Sequence, residues 1–410
     1  MKAFLTQTSL SERLETVKIT GSKSESNRLL VLQALFPNIT IQNLSNSDDT
    51  SVLQKGLKSA HGTIDIHHAG TAMRFLTAYF ACKPNASVLL TGSPRMQERP
   101  IGILVEALRK LGAHISYEKE EGYPPLRIQG QSITTSQISI NAQTSSQFIT
   151  ALMLIAPSLE NGLKIHLEGE VTSRPYIEMT RSLLKEIGVS TTFTENNIGV
   201  LPTAALPPVT ITVESDWSSA SYFYSLVALS DGLKIKMQYF RSDSRQGDAQ
   251  LANLFESLGV HTEFLPEEHA VLLSKNAETL EKEVNFNLIQ TPDIAQTIAV
   301  CCFGLGIGCK LTGLHTLKIK ETDRLVALQI ELQKLGAQIS VDQDSLTLAP
   351  SATINENIAI DTYHDHRMAM AFAPLVLKTS LVINDAGVVS KSFPGFWETL
   401  QKLGLKVNLQ

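Results

Sequence analysis

One pattern of hydrophobic and polar positions recurs along the whole chain. It consists of a leucine, two polar residues, an apolar residue and a glycine, followed by alternating apolar positions. A helix whose last turn is closed by a left-handed glycine, with a strand directly after it, has this pattern, because glycine adopts positive φ without a steric penalty. Clear copies begin at Leu108, Leu183, Leu254, Leu332 and Leu400, and a weaker copy begins at Leu57. The pattern therefore predicts helix–glycine–strand junctions at Gly62, Gly112, Gly188, Gly259, Gly336 and Gly404.

The spacing of these glycines predicts six similar subdomains. Most intervals are roughly 70 residues, and solenoid repeats are usually shorter. Residues 209–215 and 284–289 alternate as strands do, whereas residues 148–156 and 294–303 are mostly apolar and predict buried helices. Each subdomain is thus expected to hold two helices and several short strands, which is an α/β architecture. The proline-rich stretch at 201–210 is the clearest candidate for a domain boundary. Three subdomains on each side of it would form two similar lobes, and ligands commonly bind between lobes.

The composition narrows the class of protein. The 410 residues are 43% hydrophobic and 18% charged, and the net charge is −5. General binders of nucleic acid or of anionic membranes carry a basic surface instead. The longest apolar run, residues 298–308, is too short to cross a bilayer. The N-terminus shows no signal-peptide hydrophobic region, and the four cysteines show no metal or redox spacing. We therefore expect a cytoplasmic protein that binds neither nucleic acid nor membrane.

Cationic and hydroxyl side chains collect at predicted helix starts. Residues 21–28, "GSKSESNR", are similar to a phosphate-binding P-loop but lack its first glycine and its spacing. Comparable groups lie at residues 70–74, 95–100, 145–147, 173–176, 320–324, 366–367 and 391, with Pro100 expected to lead one helix and Thr322 to cap another. Lys and Arg disfavour a helix N-terminus, which is already partially positive. A bound anion would explain them, because backbone N–H groups, hydroxyls and cations then act together. The motifs together predict a small polyanionic ligand.

Each motif taken alone has an ordinary structural explanation. A serine-rich helix start is commonly only a cap, and a single arginine is usually a solvated surface charge. His67 and His68, like His364 and His366, are residues of a type that binds metals, but no Cys, Asp or Glu pattern completes a site. The prediction of an anion site therefore depends on the motifs occurring together, and no metal or organic cofactor is expected.

The order of these motifs resembles one known family. The stretches "GSKSESNR", "AGTAMR", "PRMQERPI", "SRPYIE", "DWSSASYF", "KETDRL", "DHRMAM" and "KSFPGF" occur between Gly21 and about Leu400. Together they are similar to the EPSP synthases, or 3-phosphoshikimate 1-carboxyvinyltransferases, of the enolpyruvyl transferase family. The chain departs from that family pattern at His68, Phe75 and Thr316. The resemblance implies an α/β, two-lobed enolpyruvyl-transferase fold with three βαβαββ units in each lobe. It further implies residues 20–214 as the N-terminal lobe and residues 1–19 with 215–410 as the C-terminal lobe.

The resemblance also implies an activity and its site residues. The enolpyruvyl group of phosphoenolpyruvate would pass to the 5-hydroxyl of shikimate 3-phosphate, with release of phosphate, through a tetrahedral intermediate on the shikimate pathway towards chorismate and aromatic amino acids. The acid–base residues would be Asp293, Glu321 and Lys23. Shikimate 3-phosphate would be bound by Lys23, Ser24, Arg28, Ser145, Ser146, Gln147, Ser173, Tyr176, Asp293 and Lys320. Phosphoenolpyruvate would be bound by Lys23, Gly70, Thr71, Arg99, Gln147, Arg324, His366, Arg367 and Lys391.

Two other functions remain open at the level of the sequence. UDP-N-acetylglucosamine enolpyruvyl transferases share the architecture but typically carry a cysteine in a mobile loop before an Arg-Pro pair, and this chain has none between Cys82 and Cys301. A sixfold α/β repeat could also build a ring-like clamp on DNA, which would not need Asp293, Glu321 and His366 near its cations. The resemblance favours the EPSP synthase activity, and we expect a monomer.

Overall fold

The chain folds into two compact units. The structure is a computed structural model that describes residues 1–141, 145–169, 171 and 174–410. Residues 21–213 form the continuous unit, and residues 1–20 together with 214–410 form the discontinuous unit. The buried apolar side chains form one cluster in each unit, so each unit has a hydrophobic core of its own.

The chain begins with two strands of the discontinuous unit and then builds the continuous unit. The first two strands are β1 (Ala3–Thr6) and β2 (Arg13–Val17). The strands of the continuous unit are β3 (Ile39–Gln42), β4 (His61–Asp65), β5 (Ser87–Thr91), β6 (His114–Tyr117), β7 (Leu126–Gln129), β8 (Gln137–Asn141), β9 (Leu163–Glu168), β10 (Thr191–Thr194), β11 (Asn197–Val200) and β12 (Val209–Thr212). Its helices are α1 (Lys23–Leu35), α2 (Asp48–Leu57), α3 (Gly70–Cys82), α4 (Pro94–Gln97), α5 (Gly102–Lys110), α6 (Ser146–Ile155) and α7 (Arg174–Glu186).

The remainder of the chain returns to the discontinuous unit. Its strands are β13 (Leu233–Gln238), β14 (Val260–Leu265), β15 (Ala270–Lys275), β16 (Glu283–Asn287), β17 (Gly308–Thr312), β18 (Ile339–Val341), β19 (Leu346–Leu348), β20 (Ile358–Ile360), β21 (Leu381–Ile383) and β22 (Lys406–Leu409). Its α-helices are α8 (Trp217–Leu229), α9 (Leu251–Glu256), α10 (Ala295–Leu305), α11 (Arg324–Lys334), α12 (His366–Phe372) and α13 (Phe396–Lys402), and its 3-10 helices include Pro292–Ile294 and Ala386–Lys391. Among the residues that the structure describes, no helix has both the length and the apolar character needed to cross a bilayer.

The sheets of the continuous unit follow a β-α-β-α-β-β plan. One sheet has the order β4-β5-β7-β6 and another the order β8-β9-β11-β10. In each, the first two strands are parallel and joined across a helix, whereas the last two pair antiparallel. A further sheet consists of β3 and β12, which pair in parallel. This mixture of parallel crossovers and antiparallel pairs confirms the α/β prediction.

The discontinuous unit repeats this plan but takes two strands from the N-terminus. The sheet β16-β17-β19-β18 is built from one stretch of chain. In contrast, β2 pairs in parallel with β13 at the edge of the sheet β2-β13-β15-β14. Strand β1 lies between β21 and β22 and is antiparallel to both. Residues 1–20 are therefore integral to two sheets of this unit, although the whole continuous unit separates them from its remainder in sequence.

The recurring glycines close helices as the sequence pattern predicts. Positive φ and a position directly after the last turn of α5, α7, α11 or α13 are shared by Gly112, Gly188, Gly336 and Gly404. At Gly112, for example, the glycine N–H donates to Arg109 O at 2.9 Å and the following N–H donates to Leu108 O at 2.9 Å. These two bonds satisfy carbonyls that the helix end would otherwise leave unpaired. Gly259 closes α9 in the same way through a single bond of 3.0 Å.

Three local predictions are wrong in detail. Gly62 does not close α2, because that helix ends five residues earlier and the glycine lies within β4. Helix α5 begins at Gly102 rather than Pro100, since the N–H groups of residues 101 and 102 both donate to the carbonyl of residue 122. The cap of α11 is Asp323 rather than Thr322, and its carboxylate accepts two backbone N–H groups at 3.2 Å. An ionised cap accepts these bonds more strongly than a hydroxyl does.

Candidate active site

Arg28 is a buried cation of the continuous unit. It lies in the second turn of α1 and is 3% exposed. Its guanidinium donates to Thr180 Oγ1 at 2.9 Å and to Ser24 O at 2.7 Å. Weaker bonds of 3.4 Å reach Thr150 Oγ1 and Tyr176 O. These acceptors are neutral, and burial lowers the pKa of Arg28 to about 10. The charge of the buried Glu25 acts on Arg28 as well, but the hydrogen bonds named above end on neutral oxygens. A buried cation with such partners favours an anionic ligand as a further counter-charge.

Two aromatic rings lie against the Arg28 guanidinium. The ring centroids of Phe75 on α3 and Tyr176 on α7 are each 5.8 Å from the guanidinium carbon. At this distance the negative face of an aromatic ring attracts a cation.

Helix α6 connects Arg28 with a second group of polar side chains. Ser145 caps this helix by accepting a hydrogen bond from Gln147 N at 3.3 Å. The Gln147 side-chain amide donates to Thr71 Oγ1 at 3.3 Å, at the start of α3. Thr150, one turn further along α6, contacts Arg28. The first turns of α6 therefore join the surroundings of Arg28 to the N-terminus of α3.

The N-terminus of α3 is suited to bind an anion. Its N-cap residue is Ala69, which provides no side-chain cap. A Cβ atom on Gly70 would lie 2.7 Å from Arg99 Nη1, so the guanidinium packs directly against this glycine. A helix start without a polar cap presents backbone N–H groups and a partial positive charge. Together with the adjacent arginine, this helix start has the groups that typically bind a phosphate or a carboxylate.

Arg74 is a second arginine near this helix start. The sequence analysis counted it among the cations at helix starts but did not assign it to a ligand. It is 4% exposed and donates to Gly70 O at 3.2 Å and to Pro100 O at 3.0 Å. Burial, together with the charge of Arg99, lowers its pKa to about 9. Two like charges held this closely repel, and a bound anion would relieve the repulsion. The motif "AGTAMR" contains Arg74, but its burial comes from contacts that the motif alone does not show.

The remaining predicted residues of this unit lie on the same helices. Lys23 begins α1, and its Nζ is 3.6 Å from Asp49 Oδ2 on α2. Asp49 is 5% exposed, so this ion pair keeps the Lys23 ammonium next to a buried carboxylate of α2. Ser24 contributes its carbonyl to Arg28. Ser173, which was also predicted, lies outside the described residues.

In the discontinuous unit a carboxylate lies among cations. Asp293 belongs to the short 3-10 helix before α10. Its Oδ1 accepts from Arg324 Nη1 at 3.0 Å, and its Oδ2 accepts from Arg367 Nη2 at 3.0 Å. Lys320 Nζ is 3.8 Å from Oδ1. The N-cap of α10 is Ile294, which forms no side-chain cap, so the ion pairs of Asp293 rather than a capping role define its surroundings.

Arg324 links this carboxylate to two others. It begins α11, is 2% exposed, and donates to Asp365 through Nε at 2.6 Å and Nη2 at 3.4 Å. Its Nη2 also donates to Glu321 Oε2 at 2.9 Å, and Glu321 Oε1 accepts from Lys391 Nζ at 2.5 Å. Asp365 in addition caps α12 by accepting from Arg367 N at 2.9 Å. A single buried aspartate therefore fixes both arginines that contact Asp293.

The charges around Asp293 set the pKa of two carboxyl groups. Burial raises the pKa of Asp293, but Arg367 and the other two cations outweigh burial and hold that pKa well below its usual range. The partly buried Asp248 accepts a hydrogen bond from Thr291 Oγ1. Burial first, and the negative charge of Asp293 second, raise the pKa of Asp248 to about 7. Carboxyl groups whose pKa values are driven apart in this way are typical of acid–base sites.

The structure brings the predicted residues into one group in each unit. The group of the continuous unit contains Lys23, Ser24, Arg28, Gly70, Thr71, Arg99, Ser145, Ser146, Gln147 and Tyr176, and the group of the discontinuous unit contains Asp293, Lys320, Glu321, Arg324, His366, Arg367 and Lys391. In the described part of the chain, no three His, Cys, Asp or Glu side chains are grouped so as to hold a metal ion.

Sequence reasoning missed Asp248 and Asp365. Asp365 had a local signal, because an aspartate directly before an apolar helix is a typical N-cap. Asp248 had none, since its hydrogen-bond partner Thr291 is 43 residues away in the chain.

Comparison with known sequences identifies the family. A family profile described as EPSP synthase (3-phosphoshikimate 1-carboxyvinyltransferase) matches residues 52–400. A 3-phosphoshikimate 1-carboxyvinyltransferase of Bacteroides fragilis is 45% identical over 401 residues, which cover 96% of each chain. Another from Vibrio atlanticus is 38% identical over 419 residues and covers 95% of this chain and 96% of the relative.

Comparison with solved structures identifies the fold. An EPSP synthase from Acinetobacter baumannii has a TM-score of 0.78 at 19% identity and is covered over 99% of both chains. The enolpyruvyl transferase NikO from Streptomyces tendae has a TM-score of 0.72 at 13% identity, over 99% of this chain and 98% of that one. These neighbours share the two-lobed enolpyruvyl-transferase fold. Because the family profile and the sequence relatives span most of its length, the chain belongs to the EPSP synthase family.

Proposed function

We propose that the chain transfers the enolpyruvyl group of phosphoenolpyruvate to the 5-hydroxyl of shikimate 3-phosphate and releases phosphate. The observation that carries this proposal is Asp293, a carboxylate bound by two arginines and a nearby lysine. A group of cations this dense suits anionic substrates, and a carboxylate within it can accept the proton of a hydroxyl. Membership of the EPSP synthase family supports the same reaction.

The reaction needs one proton acceptor and one proton donor. The hydroxyl oxygen loses its proton and attacks C2 of phosphoenolpyruvate, while the methylene carbon gains a proton, which gives a tetrahedral intermediate. Phosphate then leaves, and loss of one methyl proton restores the double bond. Both substrates are anions, so cations must offset their repulsion before the new C–O bond can form.

The anionic groups of the substrates are assigned to the two groups of cations. Arg28 is proposed to bind the phosphate of shikimate 3-phosphate, because its own hydrogen bonds end on neutral oxygens. Arg99, held against Gly70 at the start of α3, is proposed to bind phosphoenolpyruvate. Arg324 and Arg367 are proposed to bind phosphoenolpyruvate as well, since each presents a guanidinium at Asp293.

Asp293 is proposed as the base, and substrate binding is proposed to activate it. Without ligand, its cationic neighbours keep its pKa well below the usual range, and such a carboxylate is a weak base. An anionic group of phosphoenolpyruvate that takes hydrogen bonds from Arg324 and Arg367 shares their positive charge. The pKa of Asp293 then rises, so proton removal becomes effective when the acceptor of the hydroxyl oxygen is already bound.

Glu321 is proposed to deliver the proton to the methylene carbon. Its Oε1 accepts a 2.5 Å hydrogen bond from Lys391 Nζ, and its Oε2 accepts from Arg324, so the side chain is a carboxylate. The proton therefore starts on the Lys391 ammonium and passes through Glu321 to the methylene carbon, which leaves the lysine neutral. Lys23, which is paired with Asp49, is the second candidate for the donor. Lys23 is also a cation, so it contributes to offsetting the negative charge of the substrates.

Phosphate release tests the proposed reaction. The purified protein is incubated with shikimate 3-phosphate and phosphoenolpyruvate together, and with each substrate alone. We expect release only when both are present. Release with UDP-N-acetylglucosamine in place of shikimate 3-phosphate would overturn the assigned acceptor. An absence of release with either acceptor would overturn the reaction itself.

We further propose that the chain acts in the cytoplasm as a monomer, without metal, organic cofactor or nucleic acid. Side chains fill every role proposed above, and the net charge of −5 does not favour polyanions. Dialysis against EDTA should leave the rate unchanged, and a loss that a divalent cation restores would contradict this. Light scattering should give the 44.8 kDa of one chain, and labelled DNA at low salt should not bind.

A further inference from the structure

The segment before α12 has a backbone conformation that needs outside support. Tyr363 and His364 are consecutive non-glycine residues with φ of 54° and 57°. Left-handed conformations are unfavourable for side chains of this kind, and they persist where surrounding contacts hold them. The next residues are Asp365, His366 and Arg367, which lie in the group around Asp293. The strained segment therefore leads directly into that group.

A fully buried carboxylate holds this segment in place. Glu331 of α11 is 0% exposed, and its Oε1 accepts from the Tyr363 hydroxyl at 2.6 Å. Its Oε2 accepts from Asp361 N at 3.1 Å. Lys334 Nζ binds both oxygens, at 2.9 Å and 2.8 Å, and also Asp361 Oδ2 at 2.9 Å. The negative charge of Glu331 is thus compensated, and its contacts bind the backbone and side chains of residues 361 and 363.

One helix makes both connections to this segment. Arg324 and Glu331 are seven residues apart, which is about two turns, so they lie on the same face of α11. Arg324 binds Asp365, after the strained residues, and Glu331 binds Tyr363, within them. Helix α11 therefore holds the segment on both sides of His364.

From these contacts we infer that the hydrogen bond from Tyr363 to Glu331 positions Arg367 for phosphoenolpyruvate. The inference rests on the proposed function and adds Tyr363 and Glu331 to it as positioning residues. Neither residue needs to touch a substrate, because both act through the backbone that leads to α12. Burial and the charge of Glu331 raise the pKa of Tyr363, so its hydroxyl keeps its proton and remains a donor.

Tyr363→Phe tests this inference, because it removes the hydroxyl and keeps the ring. Loss of a hydrogen bond to a charged acceptor should raise the KM for phosphoenolpyruvate about tenfold. The KM for shikimate 3-phosphate should stay within about twofold, since most residues proposed for that substrate belong to the continuous unit. Amide hydrogen exchange of residues 361–367 should become faster in the variant.

A matched control separates positioning from a general loss of stability. Tyr224→Phe removes the hydroxyl of a buried tyrosine of the same unit, which shares a 2.8 Å hydrogen bond with Thr262 Oγ1. We expect this control to keep the KM for phosphoenolpyruvate, even if its melting temperature falls as much as that of Tyr363→Phe. An equal rise of that KM in both variants would overturn the inference.

A second change tests the role of backbone strain. His364→Gly removes the cost of positive φ at that position, because glycine adopts it freely. The double variant, with His364→Gly added to Tyr363→Phe, should have a kcat/KM for phosphoenolpyruvate at least about threefold higher than Tyr363→Phe alone. His364→Gly alone also removes an exposed contact to Asp385 and should change the kinetics little. An additive decline in the double variant would overturn the inference.

The wild-type protein distinguishes failure of this inference from failure of the proposed function. Wild-type phosphate release together with unchanged kinetics and exchange in Tyr363→Phe would overturn only the positioning role. Absence of wild-type release would overturn the proposed function and, with it, the role assigned to Arg367. Faster exchange together with the selective rise in the KM for phosphoenolpyruvate would support both.

Discussion

The ion pairs of Asp293 decide what this side chain can do. From the sequence alone, an aspartate after Pro292 at the head of an apolar helix is as readily a cap as a base. In the structure its carboxylate oxygens accept from Arg324 and Arg367, and the N-cap position belongs to Ile294. The contacts therefore favour a role in proton transfer among charged groups over a role in capping the start of α10.

Asp293→Asn should separate binding from chemistry. Asparagine has nearly the same size and can still accept hydrogen bonds from the arginines, but it cannot take up the hydroxyl proton. We expect a folded protein whose turnover is reduced at least about a hundredfold. Steady-state phosphate release and thermal unfolding check this. Asp323→Asn is the matched control, because asparagine caps a helix about as well as aspartate and should leave turnover nearly normal. Near-normal turnover of Asp293→Asn would place the base elsewhere.

Asp248→Asn should change how stability depends on pH. The pKa of Asp248 is about 7 in the folded chain, whereas an unfolded aspartate has a pKa of about 3.9. Between these values the folded state binds more protons than the unfolded state, so the free energy of unfolding falls as pH rises. Asparagine does not titrate, so the variant does not show this fall. The free energy of unfolding of the variant minus that of wild type should therefore be about 2–3 kcal/mol larger at pH 8 than at pH 5. Urea unfolding at both values measures the difference, and parallel pH profiles would contradict the prediction.

The starts of α3 and α12 show two ways to place cations at a helix N-terminus. Helix α12 is capped by Asp365, which also binds Arg324, so its first turn is occupied by protein groups. Helix α3 has no side-chain cap and packs Arg99 against Gly70. The cap of α12 therefore orients arginines, whereas the uncapped start of α3 is suited to bind a ligand.

Gly70→Ala should lower activity without lowering stability. The added methyl group would meet the flexible end of Arg99 at 2.7 Å, so the guanidinium must move. Alanine favours a helix over glycine by about 1 kcal/mol, which should maintain or raise the melting temperature. We expect the KM for phosphoenolpyruvate to rise roughly tenfold.

The control for this prediction is Gly102→Ala, at the first residue of α5. There the nearest atoms to an added methyl group belong to Gly122 and Tyr117. Gly102→Ala should keep the KM for phosphoenolpyruvate. A similar rise in both variants would show that the effect of Gly70→Ala does not depend on Arg99.

The continuous unit is inserted into the discontinuous unit between β2 and α8. Its first and last residues lie side by side, since a Cβ atom on Gly21 would be 3.1 Å from Val213 Cγ1. Strand β12 pairs in parallel with β3, which closes the unit on itself. The unit also has its own apolar cluster. Adjacent ends and an independent core are properties of inserted domains.

Residues 21–213 should therefore fold when expressed alone, whereas residues 214–410 should not. The first fragment keeps all strands of its sheets, but the second lacks β1 and β2, which lie in two of its sheets. We expect a cooperative thermal transition for 21–213 and none for 214–410. Joining residues 1–20 to the second fragment by a short linker should restore its transition. A non-cooperative 21–213 fragment would contradict the independence of this unit.

Local features of the fold could be predicted from the sequence. The junctions at Gly112, Gly188, Gly259, Gly336 and Gly404 are correct because φ at a glycine and the hydrogen bonds of one helical turn depend on a few neighbouring residues. The family resemblance also implies Asp293 and Arg367 as site residues, and their roles stay predictions. Each lies at or just before the start of a helix that its own sequence specifies. The prediction at Gly62 failed because this glycine belongs to the paired strand β4. The predicted start of α5 was wrong because the backbone there bonds to the carbonyl of residue 122, which lies beyond the helix in the sequence.

What the sequence by itself determined is the recurring helix–glycine–strand pattern, five of its six junctions and the residue types gathered at the helix starts. Only the tertiary structure decided which of these residues meet. Asp293 and Arg367 are 74 residues apart, and β1 pairs with strands near the opposite end of the chain. The low pKa of Asp293, the raised pKa of Asp248 and the hold of Glu331 on Tyr363 all follow from such long-range contacts. The physical reason is that charge interactions and burial act through space, so they depend on packing, whereas helix caps and turns act along the chain.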